Sequence, residues 1–291
     1  MNIWNNRSWG PMLLKEVDKA FDSDEYVYEI KFDGYRAIIF ASPKEFKIIS
    51  RNNNDITYLY PELKEIQKLV KHNTIFDGEI VSMEDNKPSF SKLQQRSHIK
   101  NQQKINNYSK IEPVTFVCFD ILYDNKDLTS LSLLERKNIL NKIEENDVFI
   151  KSKYFSKGIS LFNKIKKMHI EGIVAKKKDS IYEISKRTYS WIKIKNNLKE
   201  EFIIGGYEIK KKDISILLGE FKENKLYFVG NVKLSVNSDL YKKVLTIPHL
   251  KKSPFIDYDK KAIYLKPTLK CMVRYLERTL NNHLRQPIIE K

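Results

Sequence analysis

At 291 residues the chain exceeds the usual size of one domain, so two domains of unequal length, each with its own core, are expected. Its 53 Lys and Arg against 37 Asp and Glu leave a formal charge of +16, which favours a polyanionic partner, nucleic acid first, although an AT-rich genome also enriches Lys and Asn. Cys118 and Cys271 lie in apolar stretches with no CxxC or His cluster, which excludes a disulfide framework and a zinc site, and no run approaches a membrane span or a signal peptide, so a cytoplasmic protein is expected.

Between residues 26 and 40 side chains alternate, with Tyr28, Ile30 and Phe32 on one side and Glu29, Lys31 and Asp33 on the other, which predicts a strand with a polar face. Leu63, Ile66, Leu69 and Val70 follow Pro61 at helical spacing and predict a helix over 60–70. Further strands are expected at 74–81, 114–122, 172–176 and 190–195, and helices at 132–143 and 159–170, so the first part mixes α and β. Residues 90–110 hold five Lys or Arg and no acid; they suit phosphate contacts, and a solvated loop over 98–110 is an equal alternative. After the polar stretch KIKNNLKEE the pattern turns to short strands at 202–209, 214–221, 226–232, 262–265 and 269–276, with a helix at 238–246. Five strands with a helix between the third and fourth predict an OB-fold, a small nucleic-acid-binding barrel. The expected boundary puts one domain at 1–198 and the second at 199–291. Residues 1–200 carry 35 basic and 27 acidic side chains and the remainder 18 and 10, hence +8 on each side, so a polyanion would touch both.

The segment EIKFDGYR (29–36) places Lys31 at a strand end before an Asp-Gly turn and an arginine. A lysine attacks an electrophile only as the neutral amine, which burial or neighbouring cations favour, whereas a lone KxDG is as readily a hairpin beside a solvated lysine. FDGEIV (76–81) offers a carboxylate, Glu79, on an apolar strand, and FVCFDILY (116–123) embeds Phe119 and Asp120 in another. Singly, such a Phe is usually core and such a Glu usually a surface acid. EGIVAKK (171–177) supplies Glu171, a hard oxygen ligand of the kind Mg²⁺ accepts. In WIKIK (191–195), Lys193 and Lys195 share a face and would bind a phosphate. His98 has no partner at metal-site spacing.

The ordered series EIKFDGYR, SRNNND, FDGEIV, FVCFDILY, EGIVAKK and WIKIK resembles the nucleotidyltransferase motifs of ATP-dependent DNA ligases. EFIIGGYE, LLGEF, KLYFVG and the terminal LRQP extend the resemblance to the ligase module of bacterial LigD end-joining proteins, over nearly the whole chain. It implies an α+β fold, a nucleotidyltransferase (ATP-grasp-like ligase) domain followed by an all-β OB-fold domain. It implies that Lys31 carries AMP, that Glu29 reads adenine, and that Arg36 and Arg51 contact nucleotide or 5′-phosphate. Glu79 would bind ribose and, with Glu171, the metal; Phe119 would stack on adenine, Arg187 would reach the nucleotide, and Lys193 with Lys195 would grip the α-phosphate. The cofactors implied are ATP and Mg²⁺, or Mn²⁺ in its place. The partners implied are nicked or broken duplex DNA and, by analogy, Ku, with a monomeric chain and a role in repair or end joining. No polymerase or phosphoesterase domain fits this length, so a ligase module alone is expected.

Two positions depart from the family pattern. Asn53 stands where glycine is common, and asparagine tolerates positive φ; Ile184 and Ser185 replace a Pro-Gly, which puts the aim of Arg187 in doubt. Two rival readings remain: an RNA ligase or capping-type nucleotidyltransferase, and a non-catalytic OB protein that binds single strands on Tyr207, Tyr227 and Phe228.

Overall fold

In the computed structural model, which describes residues 2–84, 87–210, 213–279 and 281–290, the alternating run at 26–40 is two strands. Asp33 and Gly34 break it, and the two halves enter different sheets. The chain forms two compact units, Met1–Asn196 and Asn197–Lys291.

The first unit runs β1 (Leu13–Glu16), β2 (Tyr26–Lys31), β3 (Tyr35–Ala41) and β4 (Phe46–Ser50), then 3₁₀ turns at Thr57–Leu59 and Pro61–Leu69. Next come β5 (Thr74–Val81), a small hairpin of β6 (Met83–Glu84) and β7 (Lys87–Pro88), α1 (Phe90–Ser97), α2 (Gln102–Ile111) and β8 (Thr115–Asp124). It ends with α3 (Leu133–Leu140), β9 (Phe149–Lys151), β10 (Tyr154–Phe155), α4 (Gly158–Lys167), β11 (Gly172–Lys177) and β12 (Arg187–Lys195). The helix expected at 60–70 is a 3₁₀ helix: its buried residues, Leu63 and Ile66, are three apart, the repeat of that helix. The basic stretch at 98–110 is mostly helical, with Asn101 capping α2 through its side chain. Arg96 is withdrawn from any phosphate role there, because it is buried against Glu62 at 2.7 Å.

Two five-stranded sheets result, β1-β12-β11-β2-β10 and β4-β3-β5-β8-β9. Alternation assigns each strand two environments. In the first sheet, Tyr28, Ile173, Ala175, Ile192 and Ile194 pack beneath α4 on Leu161 and Ile165. In the second, Ala37, Ile39, Phe76, Ile80, Phe116 and Cys118 pack against Leu63, Ile66 and Leu93. A third cluster joins Val27 and Trp191 of the first sheet to Ile38, Phe40, Ile75 and Leu122 of the second, so the opposed inner faces are apolar at one end. Fully burying a side chain of this size contributes roughly 1.5–3 kcal/mol. The polar residues of the same faces lie outside this seal.

The second unit contains β13 (Leu198–Lys210), β14 (Asp213–Lys222), β15 (Lys225–Leu234), α5 (Asp239–Leu245), β16 (His249–Leu250), β17 (Ile263–Tyr275) and β18 (Ile288–Ile289). They form one antiparallel sheet, β15-β14-β13-β17-β16, with β18 beside β17. The strands expected at 262–265 and 269–276 are the single strand β17. Its pairing with β13 shifts register between Ile204 and Gly206, which bends the sheet without ending the strand. Leu284 N–H donates to the Val229 carbonyl at 2.6 Å, covering part of the β15 edge. Tyr207, one ring of the supposed surface platform, is buried in the core with Ile204, Ile216 and Val273.

Candidate functional site

Lys31 is the last residue of β2, and register fixes its neighbours. Gly172 of β11 lies beside it and Lys195 of β12 beside that; one pair along, Glu29, Val174 and Lys193 align the same way. The odd-numbered residues of β2 and β12 thus face inward, with Lys176 and Trp191 completing the row. Gly172 leaves the space between Lys31 and Lys195 without a side chain, and a Cβ there would meet the Ile194 carbonyl at 2.2 Å. Lys31 Nζ donates to Glu171 Oε2 at 2.6 Å.

The opposing sheet contributes Arg36, Glu79 and Phe119. The turn that separates Lys31 from Arg36 is held tightly: a Cβ on Gly34 would lie 2.1 Å from the Ile80 carbonyl, so only glycine permits this approach. Arg36 makes paired bonds to Asp77 at 3.0 and 2.7 Å, and Tyr182 donates its hydroxyl to the same carboxylate at 2.7 Å. One cavity is lined by Leu14, Glu29, Lys31, Arg36, Glu79, Phe119, Lys176 and Trp191, among others. Phe119 meets Trp191 edge to face at 6.0 Å, while the Lys176 ammonium lies 4.3 Å from the Phe119 ring and 4.2 Å from that of Trp191.

Burial dominates the electrostatics. It pushes the Glu79 carboxyl up to about 8 against the pull of Lys31 and Arg36, and raises that of Glu171 despite the adjoining Lys31. Burial brings Lys176 down to about 8, opposed by Glu29, and lowers Lys195, with Lys193 adding repulsion. Among the described residues no group of three or more His, Cys, Asp or Glu side chains is arranged to hold a metal ion by itself. Glu79 and Glu171, both of which feel the Lys31 charge, suit a hard cation that completes its coordination with water and phosphate oxygens.

Of the residues singled out in the sequence, Glu29, Lys31, Arg36, Glu79 and Phe119 line the cavity, Glu171 contacts Lys31, and Lys193 and Lys195 share the inward face. Lys193 is paired with Glu16 at 2.9 Å. Arg51 is exposed in the turn after β4, its backbone N–H donating to the Arg36 carbonyl, with Asn53 at φ 62° in the same turn. Arg187 is exposed at the start of β12, outside the cavity lining, and its guanidinium donates to the Leu14 carbonyl. Ser185 adopts φ 59° and is tied through its hydroxyl to Gly10. Sequence reasoning missed Leu14, Lys176 and Trp191. The positions of Lys176 and Trp191 in the row could have been found only by pairing EGIVAKK with WIKIK, and that of Leu14 only by placing β1 beside β12.

The fold is that of a nucleotidyltransferase domain followed by an OB-fold domain. Residues 11–195 match the family model for the ATP dependent DNA ligase domain, and the chain belongs to that family, the ATP-dependent DNA ligases. Among curated relatives, the SPbeta prophage-derived DNA ligase-like protein LigB of Bacillus subtilis (strain 168) is 30% identical over 290 residues, covering 96% of this chain and 97% of LigB. The multifunctional non-homologous end joining protein LigD of Mycolicibacterium smegmatis is 31% identical over 297 residues; the match covers 96% of this chain but only 37% of LigD. Among solved structures, mycobacterial DNA ligase D complexed with ATP and MES aligns with TM-score 0.62 at 28% identity, over 99% of this chain and 94% of that one. A Lig E DNA ligase structure shares the fold at TM-score 0.64 and 18% identity. The chain is thus an ATP-using enzyme of DNA, and none of its described helices is long and apolar enough to cross a membrane.

Proposed function

We propose that this ligase seals nicks in duplex DNA through an AMP carried on Lys31. The observation that carries the reading is the Lys31 amine at the end of β2, 2.6 Å from Glu171 and beside a cavity walled by Glu29, Glu79 and Phe119. Lys31 Nζ, as the neutral amine, attacks the α-phosphorus of ATP; the N–P bond forms as the bond to pyrophosphate breaks. Glu171 Oε2, accepting from Lys31 Nζ at 2.6 Å, orients the amine, and the proton released as the N–P bond forms passes to water. AMP then passes to the 5′-phosphate at the nick, freeing Lys31, and the 3′-hydroxyl attacks that phosphate to form the phosphodiester and release AMP.

Each remaining side chain has work within these steps. Glu29 faces the base, Phe119 offers it a ring, and Glu79 faces the ribose. Lys193 and Lys195 neutralise the α-phosphate, while Arg36, Arg51 and Arg187 meet nucleotide or 5′-phosphate charge. Glu79 and Glu171 would hold Mg²⁺ or Mn²⁺, which neutralises charge on the departing pyrophosphate. The end-joining name of LigD favours a role in repair or end joining, with Ku as a candidate partner.

The test is covalent labelling. Protein incubated with α-labelled ATP and Mg²⁺ should carry label that Lys31→Ala and Lys31→Arg abolish, since the arginine guanidinium is not a nucleophile at neutral pH. Transfer of that label to nicked DNA should follow. Equal labelling of Lys31→Ala would sink the assignment of the nucleophile.

A further inference from the structure

Lys137 belongs to none of the motifs, yet it is one of the most deeply buried charges in the first unit. It lies on α3, 1% exposed, with its ammonium 2.6 Å from Glu29 Oε1; Lys176 reaches the other oxygen at 3.1 Å. A buried lysine is costly unless it is paired, and the anchoring of α3 does not require it, because Arg136 already binds α3 to Asp120 of β8. The ring centre of Tyr154 of β10 lies 5.7 Å from the ammonium, and its backbone pairs opposite Glu29.

The Lys137 contact is close but not aligned as a hydrogen bond: neither Lys137 Nζ nor Glu29 Oε1 has such a partner in the protein. A carboxylate offers about four acceptor positions, so the Glu29 carboxylate retains acceptor capacity, and Glu29 lines the cavity that also contains Phe119. At its 6-position adenine presents an amine donor, whereas guanine presents a carbonyl acceptor. An ionised carboxylate fixed toward that position accepts from the first and repels the second.

We propose that Lys137 is a positioning residue that holds the Glu29 carboxylate toward the purine 6-position and so sets selectivity for adenine over guanine nucleotides. The inference rests on the reading in which this cavity takes the base of ATP. Lys176 cannot substitute, because its ammonium is already committed to Oε2 and to the faces of Phe119 and Trp191.

The experiment compares kcat/KM for covalent labelling of the full chain by α-labelled ATP and GTP, with melting temperatures recorded for every variant. Lys137→Met should lose about tenfold or more of the ATP:GTP preference, chiefly through KM for ATP, and Lys137→Arg should recover part of it. If Lys137→Met does not fold, Lys137→Gln, which keeps a donor without the charge, carries the same expectation. An unchanged ATP:GTP ratio, including equal loss with both nucleotides, is what a purely structural lysine gives and overturns the proposal. Glu29→Gln separates the levels. If it leaves the ratio unchanged, Glu29 does not read the base; if it changes the ratio while Lys137→Met does not, only the role of Lys137 fails. Absence of any Lys31-dependent label in the parent protein removes the covalent mechanism and this proposal with it.

Discussion

Glu79 is a carboxyl whose folded-state pKa, about 8, lies well above the ordinary 4.5. The folded chain therefore holds a proton that the unfolded chain has released. The stabilisation is complete below about pH 4.5 and is lost as pH rises through 8. Glu171 acts in the same direction. Lys176, lowered to about 8 from 10.5, changes stability mainly above this window. Chemical denaturation of the parent protein should show stability declining between about pH 5 and 8, and Glu79→Gln should flatten much of that decline. An identical slope in the variant would place the titration elsewhere. The sequence reading found Glu79, Lys31 and Glu171 because each stands in a short segment with recognisable neighbours. It passed over Lys137, Lys176 and Trp191, whose placement comes from register and from α3 reaching Glu29 across the fold.

Among the elements, α3 joins apolar packing of Leu133 and Leu140 to a set of polar anchors. Ser132 and Glu135 form a reciprocal capping box at its start. Arg136 makes two bonds to Asp120, at 2.8 and 2.9 Å, and others to the Leu131 and Ser180 carbonyls. Both side chains are 0% exposed, so Asp120→Ala leaves a buried guanidinium without its counter-charge and should cost about 3–5 kcal/mol in equilibrium unfolding. A loss below about 1 kcal/mol would mean that the two carbonyls suffice. Elements with apolar, strand-like runs, such as β5, β8 and β12, were legible from sequence. The helix α2 was not, because Ile105 is its only buried residue and its polar composition reads equally as a loop. The continuity of β17 was hidden for another reason: the LysProThr interruption looks like a chain break, whereas β13 absorbs it by a shift in pairing.

At the scale of the whole molecule, two compact units and an equal charge of +8 on either side of residue 200 favour contact with DNA phosphates by both. Binding of the intact chain to nicked duplex should weaken by roughly a thousandfold or more between about 50 and 200 mM salt and depend little on base sequence. A flat salt response, or a strong consensus site, would tell against it. The mixed α/β and all-β character of the two parts was legible from the change of pattern near residue 198. The division of the first part into two facing sheets was not, because alternation continues unbroken through the turn between them. That turn has a further consequence. Lys31 closes one sheet and Tyr35 opens the other, with three residues between them and Gly34 pressed against the Ile80 carbonyl. An ordinary surface loop absorbs insertions at small entropic expense, but this link has no slack. Neither Gly34 nor the number of residues there can change without moving the two strands apart. In this stretch the chain behaves as a ruler, and natural variation should appear as substitution without insertion or deletion.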